Sequence, residues 1–159
     1  MRLRIETNDR KASGNRELSI MNTNETAYTG ERSLKFLART MEPGENVYVY
    51  KQTYYRPEDF SDSRYDPCFS PLVYPGQTLH GSVCIPEYGP KARAGLYVRD
   101  IHTGKVYEGE IKELVKGQWE ELIFEIPGNM DALIGEMGMC FHIEGKHMEH
   151  FDFVGFVDD

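Results

Sequence analysis

The sequence is poor in cysteine and tryptophan, and it has no long hydrophobic run. Its three cysteines, Cys68, Cys84 and Cys140, are far apart and form no C-x-x-C pair, so we expect unpaired thiols and neither a disulfide framework nor a zinc site. No apolar segment approaches the roughly 18 residues that a membrane-spanning helix needs, which predicts no membrane span. The N-terminus, MRLRIETNDR, contains no signal-peptide core.

Positive charge is also scarce. The 18 lysines and arginines face 26 aspartates and glutamates, which gives a formal net charge of -8. A surface of this sign repels phosphate backbones, so we expect no nucleic-acid partner. The nucleophile elbow G-x-S-x-G, the phosphate loop G-x-x-x-x-G-K-[ST] and the zinc motif H-E-x-x-H are all missing from the sequence, and we therefore predict a non-catalytic protein.

The composition that remains favours strands. Ten tyrosines and eight phenylalanines, with 15 glycines and eight prolines between them, suit short strands joined by turns. In residues 94–126 the segments AGLYVRD, KVYEGEI and QWEELIFEI follow one another, with apolar and polar side chains alternating. Tyr97 and Arg99 fall opposite an apolar set made of Ala94, Leu96 and Val98. We predict a meander with one face on a second sheet and the other open to solvent or ligand.

Alternation recurs along the rest of the chain, in residues 2–7, 17–21, 30–39, 47–55, 77–85, 136–144 and 150–157. With roughly nine or ten strands and no amphipathic helix, the pattern predicts an all-β protein, an antiparallel two-sheet β-sandwich of jelly-roll type. No linker divides the chain, so residues 1–159 are predicted to form one domain. Residues 56–71 have no clear period, and we expect a functional loop there.

Four segments, in this order, resemble the jelly-roll carbohydrate-binding modules that are attached to glycoside hydrolases. Residues 30–35, GERSLK, are similar to the G-x-x-S-L-K opening of an early strand, and residues 74–78, YPGQT, to the start of a middle strand. Residues 117–124, GQWEELIF, are similar to a G-x-W-x-x-L-x-F strand, and residues 151–159 to the final strand, which often ends in two aspartates. The resemblance implies a module that binds a polysaccharide or an oligosaccharide.

Such a ligand needs aromatic faces for stacking and polar groups for its hydroxyls. The residues in outward phase that offer both are Tyr48, Tyr50, Gln52, His80, Tyr97, Arg99 and His142. The two histidines share a surface with the others only if their strands belong to one sheet. The stripe of Tyr48 and Tyr50 is equally compatible with an aromatic core, and Trp119 with packing or with stacking on a sugar.

The resemblance also implies structural Ca²⁺ where the first and last strands meet, near the turn that carries Glu31. Hard cations prefer carboxylate and carbonyl oxygens. The acidic residues that the resemblance places there are Glu6, Glu31, Asp158 and Asp159.

Two alternatives remain open. Instead of a carbohydrate-binding module, the chain could be a structural accessory domain that docks to a neighbouring hydrolase domain of the same polypeptide. The weakest alternative is a cupin-like metal enzyme. The metal enzyme would use His142 and Glu144, with His147 or His150 nearby. We expect a domain excised from a larger protein. The sequence leaves its compartment open, and a secreted glycoside hydrolase as parent would make it extracellular.

Overall fold

The computed structural model describes residues 4–7, 18–41, 45–53, 73–100, 102–129, 134–143 and 151–158. These ranges contain strands and no helix, and therefore no helix that could cross a membrane. The strands are β1 (Arg4–Thr7), β2 (Leu18–Thr23), β3 (Ser33–Met41), β4 (Asn46–Gln52), β5 (Thr78–Cys84), β6 (Ala92–Asp100), β7 (Val106–Glu108), β8 (Lys112–Glu113), β9 (Trp119–Glu125), β10 (Ile134–Ile143) and β11 (Phe151–Val157).

The strands form two antiparallel sheets. The first sheet has the order β1-β4-β10-β6-β7, with β8 also paired to β6, and the second sheet has the order β2-β3-β11-β5-β9. Chain neighbours are often not sheet neighbours, since β10 lies between β4 and β6 while β11 lies between β3 and β5. The predicted all-β, two-sheet antiparallel sandwich is confirmed.

Aromatic side chains form the centre of the core between the sheets. Phe36 of β3 lies 5.0 Å from Phe141 of β10 and 5.4 Å from Phe153 of β11, measured between ring centroids. All three rings are fully buried. Burying each ring contributes about 1.5–3 kcal/mol relative to leaving it exposed, and the cluster joins the two sheets directly. As predicted, Ala94, Leu96 and Val98 point into this core.

The predicted meander over residues 94–126 is wrong in its connections. β6 and β7 pair within the first sheet, but β9 pairs with β5 in the second sheet. The middle segment KVYEGEI, residues 105–111, is also not one strand from end to end: only Val106–Glu108 form β7, and β8 begins after the segment, at Lys112. A Cβ atom at Gly109 would lie 2.8 Å from the ring of Phe124, so the glycine allows the chain to pass over this ring on its way to the other sheet.

Two of the turns between the segments of residues 94–126 depend on glycine. Gly104 and Gly117 have φ angles of 75° and 80°, in the left-handed region that other residues rarely adopt. The amide of Gly117 also donates a hydrogen bond to the carbonyl of Ile85, at 2.7 Å. This turn therefore anchors the start of β9 beside the end of β5.

Candidate ligand-binding face

The outward face of the first sheet gathers six of the seven predicted ligand-binding residues. Its three central strands, β4, β10 and β6, run side by side, with Cys140 opposite Tyr48 and Gly138 opposite both Tyr50 and Tyr97. Directly paired residues point to the same side of a sheet. The members from the predicted set are Tyr48, Tyr50, Gln52, Tyr97, Arg99 and His142.

Part of this face is a second, smaller core. Tyr50, Tyr97 and Cys140 are at most 2% exposed and pack against the half-buried Tyr48. Gly138 makes this possible, because a Cβ there would lie 2.7 Å from the Cβ of Tyr50. Tyr50 and Tyr97 point away from the main core, as predicted, but they expose no ring surface on which a ligand could stack. The expectation that they contact ligand directly is therefore corrected: they support the face.

A buried polar network fixes the orientation of Arg99. The Tyr97 hydroxyl donates a hydrogen bond to Oε2 of Glu136, and Nε of Arg99 donates to the same oxygen at 3.3 Å. A second nitrogen of Arg99, Nη1, donates to the carbonyl of Gly104 at 3.1 Å. The Glu136 side chain is 9% exposed and that of Arg99 24%, so the pair is largely shielded from water. The guanidinium is held in place before any ligand arrives.

Sequence reasoning missed Glu136, although a signal for it was present. In EMGMCFHIE the residue has the same phase as Gly138, Cys140 and His142, which places it on the outward face. A carboxylate that alternates with apolar residues along a strand usually points into solvent. Only the cross-strand pairing of Glu136 with Arg99 reveals a network.

The open part of the face combines an aromatic ring with polar groups. Tyr48 stands edge-on to Tyr97 at 5.4 Å, and the guanidinium carbon of Arg99 lies 5.9 Å from the Tyr48 ring centre. Burial raises the pKa of Tyr48 above its ordinary value of 10.0, so its hydroxyl stays protonated over a wider pH range than that of a solvated tyrosine. Gln52 and His142 are half-buried at the same surface. These groups offer stacking surface, donors and acceptors, which suits a neutral polyhydroxyl ligand.

One end of the face carries a compact group of three side chains with different chemistry. Nε2 of His142 lies 3.6 Å from Sγ of Cys140 and 3.7 Å from Oε1 of Glu108. Burial, and then the nearby Glu108 carboxylate, raise the pKa of the Cys140 thiol to about 12. As expected from the sequence, Cys84 and Cys140 are unpaired and buried. Cys68 lies outside the described residues.

His80 does not belong to this face. It lies on β5, in the second sheet, where its Nδ1 is 3.0 Å from Oε1 of Glu121. The condition under which His80 and His142 would share one surface, that their strands belong to one sheet, is therefore not met. Trp119 is also in the second sheet, where its Nε1 donates to Oγ1 of Thr26 at 3.1 Å and its ring lies 5.7 Å from that of Tyr28. Its contacts favour packing over ligand stacking.

The residues named for calcium are only partly described. Asp158, at the end of β11, accepts a hydrogen bond from the Thr29 hydroxyl at 3.0 Å, which places its carboxylate beside the turn that carries Glu31. β1 and β11 lie in different sheets, so the first and last strands do not pair. The side chain of Glu6 and the whole of Asp159 lie outside the described residues, as do residues 56–71 and Glu144, His147 and His150.

No family model matches the chain, and no curated protein matches it. Solved structures do, and they define its class of fold: the neighbours are carbohydrate-binding modules of the β-sandwich type, aligned over nearly the whole chain. The resemblance found in the sequence is thereby confirmed at the level of fold.

Three of these neighbours illustrate how similar the solved structures are to this chain. A carbohydrate-binding module from the β-sandwich superfamily, studied for promiscuous specificity, has a TM-score of 0.65 and 18% identity, over 98% of this chain and 54% of the other. The family 22 module and catalytic domain of Clostridium thermocellum endo-1,4-β-D-xylanase 10B, in complex with xylohexaose, has a TM-score of 0.52 and 14% identity, over 90% and 23%. A family 22 xylan-binding domain from Paenibacillus barcinonensis has a TM-score of 0.50 and 16% identity, over 98% and 88%. The chain thus spans about half of the first neighbour and a quarter of the second.

Proposed function

We propose that this protein is a non-catalytic carbohydrate-binding module that binds a β-1,4-linked polysaccharide, with xylan as the first candidate, on the outward face of its first sheet. The observation that carries the proposal is the polar and aromatic surface of Tyr48, Gln52, Arg99 and His142 above the buried Tyr97–Glu136 pair. Neighbours of the same fold include xylan-binding modules, which makes xylan the first ligand to test.

The chemistry of the face matches such a ligand. The pyranose ring of a sugar has an apolar side that stacks on an aromatic ring such as that of Tyr48. Its hydroxyls pair with the amide of Gln52 and the guanidinium of Arg99. Because Arg99 is already held by Glu136 and Gly104, little of its conformational freedom is lost on binding. The expected affinity is micromolar to millimolar, or about -8 to -4 kcal/mol.

The test is calorimetric titration with xylohexaose. Tyr48→Ala and Gln52→Ala are expected to weaken binding at least tenfold, or about 1.4 kcal/mol, because each removes a group from the open surface. Tyr88→Ala is the matched control, since Tyr88 is 67% exposed but lies near the other sheet. The proposal is refuted if the wild type binds neither xylohexaose nor other β-1,4-linked oligosaccharides, or if Tyr88→Ala weakens binding as much as Tyr48→Ala.

A second candidate function is docking to a neighbouring hydrolase domain of the same polypeptide. The second sheet and its flanking loops expose several large apolar side chains, among them Tyr28, Tyr88 and Ile123, at 45%, 67% and 55%. If the parent hydrolase is secreted, the module is extracellular with it. The test is a two-domain protein in which Ile123→Glu should loosen the interface, seen as faster cleavage of the linker, while xylohexaose binding persists. Unchanged cleavage would count against docking through this surface.

We also propose structural Ca²⁺ at the turn beside Asp158, where the carboxylate accepts a hydrogen bond from Thr29, two residues before Glu31 in the chain. Bound calcium should raise the thermal midpoint of the wild type relative to chelator-treated protein, because a ligand that binds only the native state stabilises it. Asp158→Asn should remove this difference, while Glu125→Gln, an exposed carboxylate on β9, should keep it. Equal midpoints with calcium and with chelator would argue against the site.

A further inference from the structure

The three side chains at the end of the ligand-binding face have a property that glycan binding does not use. One ligand atom from each of Glu108, Cys140 and His142 lies within 4.8 Å of the other two. They supply a carboxylate oxygen, a thiol sulfur and an imidazole nitrogen, which are the three donor types that proteins use for zinc. In the described part of the chain they are the one such group of three.

The separations fit a common metal ion. Zinc bonds of about 2.3 Å to sulfur and about 2.0–2.1 Å to nitrogen or oxygen, at tetrahedral angles, place sulfur about 3.6 Å and oxygen about 3.4 Å from the nitrogen. The observed distances from Nε2 of His142 are 3.6 Å to Sγ of Cys140 and 3.7 Å to the Glu108 oxygen. The third separation, between Sγ of Cys140 and the Glu108 carboxylate, is at most 4.8 Å, and the Glu108 side chain, which is 33% exposed, has room to turn towards the other two donors.

The fold explains why these donors meet. Cys140 and His142 are two residues apart on β10, so both point outward on the same face. Gly95 is the β6 residue beside Cys140, and the backbone at Glu110 packs onto it so closely that a Cβ would lie 3.2 Å from the Glu110 carbonyl oxygen. β7 is the neighbour of β6 in the same sheet, and Glu108 pairs directly with Tyr97, so its side chain stands on the same face as the two β10 side chains. Because Gly95 has no side chain, Glu108 can reach across β6 towards Cys140 and His142.

We propose that Glu108, Cys140 and His142 form a binding site for a transition-metal ion of the zinc type. Three protein ligands leave one tetrahedral position for water or for a ligand hydroxyl. The donor set disfavours calcium and magnesium, which prefer oxygen alone, and favours zinc and its close relatives. On binding, the thiol gives its proton to solvent, because a coordinated thiol is deprotonated. The site is separate from the calcium proposed at Asp158, and it stands whether or not the protein binds xylan.

The test uses the untagged chain, treated with chelator and then titrated with Co²⁺, which reports a thiolate ligand by a sulfur-to-cobalt charge-transfer band. We expect the band to saturate at one ion per chain and to disappear when Zn²⁺ is added. Cys140→Ser should abolish it, and Glu108→Gln should weaken Zn²⁺ binding at least about tenfold. Two controls should change nothing: Cys84→Ser, at the other described thiol, and His80→Ala, at a histidine and glutamate pair that lacks a thiol.

Several results would overturn the proposal. They are the absence of a cobalt band in the wild type, a band that survives Cys140→Ser, and Zn²⁺ affinity that is unchanged in Glu108→Gln. If Cys140→Ser does not fold, Glu108→Gln and His142→Gln decide the question, because both side chains are partly exposed and neither belongs to a core cluster.

Discussion

The hydroxyl of Tyr97 offers a sharp test of the buried network. Tyr97→Phe removes one oxygen atom and leaves the fully buried ring in place. The oxygen donates to Glu136, whose side chain is 9% exposed, so water cannot easily replace the lost hydrogen bond. A hydrogen bond to a charged group contributes about 1.5–3 kcal/mol, and we expect the free energy of unfolding to fall by about 2 kcal/mol. For a chain of this length the thermal midpoint should fall by about 6 °C.

The assay is urea unfolding of the wild type and the variant, with xylohexaose titration of both. Tyr74→Phe is the matched control, since it removes the same atom from a side chain that is 51% exposed. Tyr97→Phe should keep most of the glycan affinity, because its ring does not reach the open surface. A loss of less than about 0.5 kcal/mol, comparable to an ordinary surface substitution, would refute the reasoning about the network. A loss of glycan binding without destabilisation would show that Tyr97 contacts ligand after all.

Three further outcomes are expected. Gly138→Ala should destabilise the protein by about 1–3 kcal/mol in urea unfolding, because a Cβ would strike Tyr50. Gly128→Ala should change little, because a Cβ there would make only an ordinary contact, 3.9 Å from the Cα atom of Gly76. Equal effects of the two substitutions would contradict the close approach at Gly138. Xylohexaose should leave the emission of Trp119, the single tryptophan, unchanged because it lies on the opposite sheet, and a wavelength shift on saturation would place the ligand there instead. The Tyr88 hydroxyl, and also Lys35, hold the pKa of Glu25 below its ordinary value of 4.5, so the stability it contributes is present above pH 4.5 and is lost as the pH falls below it. In urea unfolding at several pH values, the gap between wild type and Glu25→Gln should shrink in acid, and a gap that widens would contradict the assigned sign.

Much of the fold follows from local alternation. Successive side chains on a strand point to opposite faces, so the apolar phase of Leu96 and Val98 already assigns Tyr97 and Arg99 to the other side. Glycine at 104 and 117 likewise marks turns in which φ is positive. These properties belong to short stretches of backbone, and they hold whatever the rest of the chain does.

The candidate site was less predictable, because it depends on which strands become neighbours. The sequence grouped His80 with His142, but β5 and β10 lie in different sheets. It also argued against zinc from cysteine spacing, whereas the candidate donors come from two separate strands, with Glu108 on β7 and Cys140 on β10. Spacing rules detect ligands that are close together in the chain. They miss ligands that only the pairing of distant strands brings together.

By itself, the sequence determined an acidic, two-layered β protein and the side of each strand on which its aromatic and polar residues stand. The tertiary structure decided that Tyr97 is buried, that Glu136 is its partner and that Glu108 reaches Cys140. The physical reason is the separation along the chain of the residues that interact. Side-chain alternation is a property of the local backbone, whereas burial and contact between β4, β6, β7 and β10 depend on pairing between residues that are up to 96 positions apart, as Asn46 and His142 are.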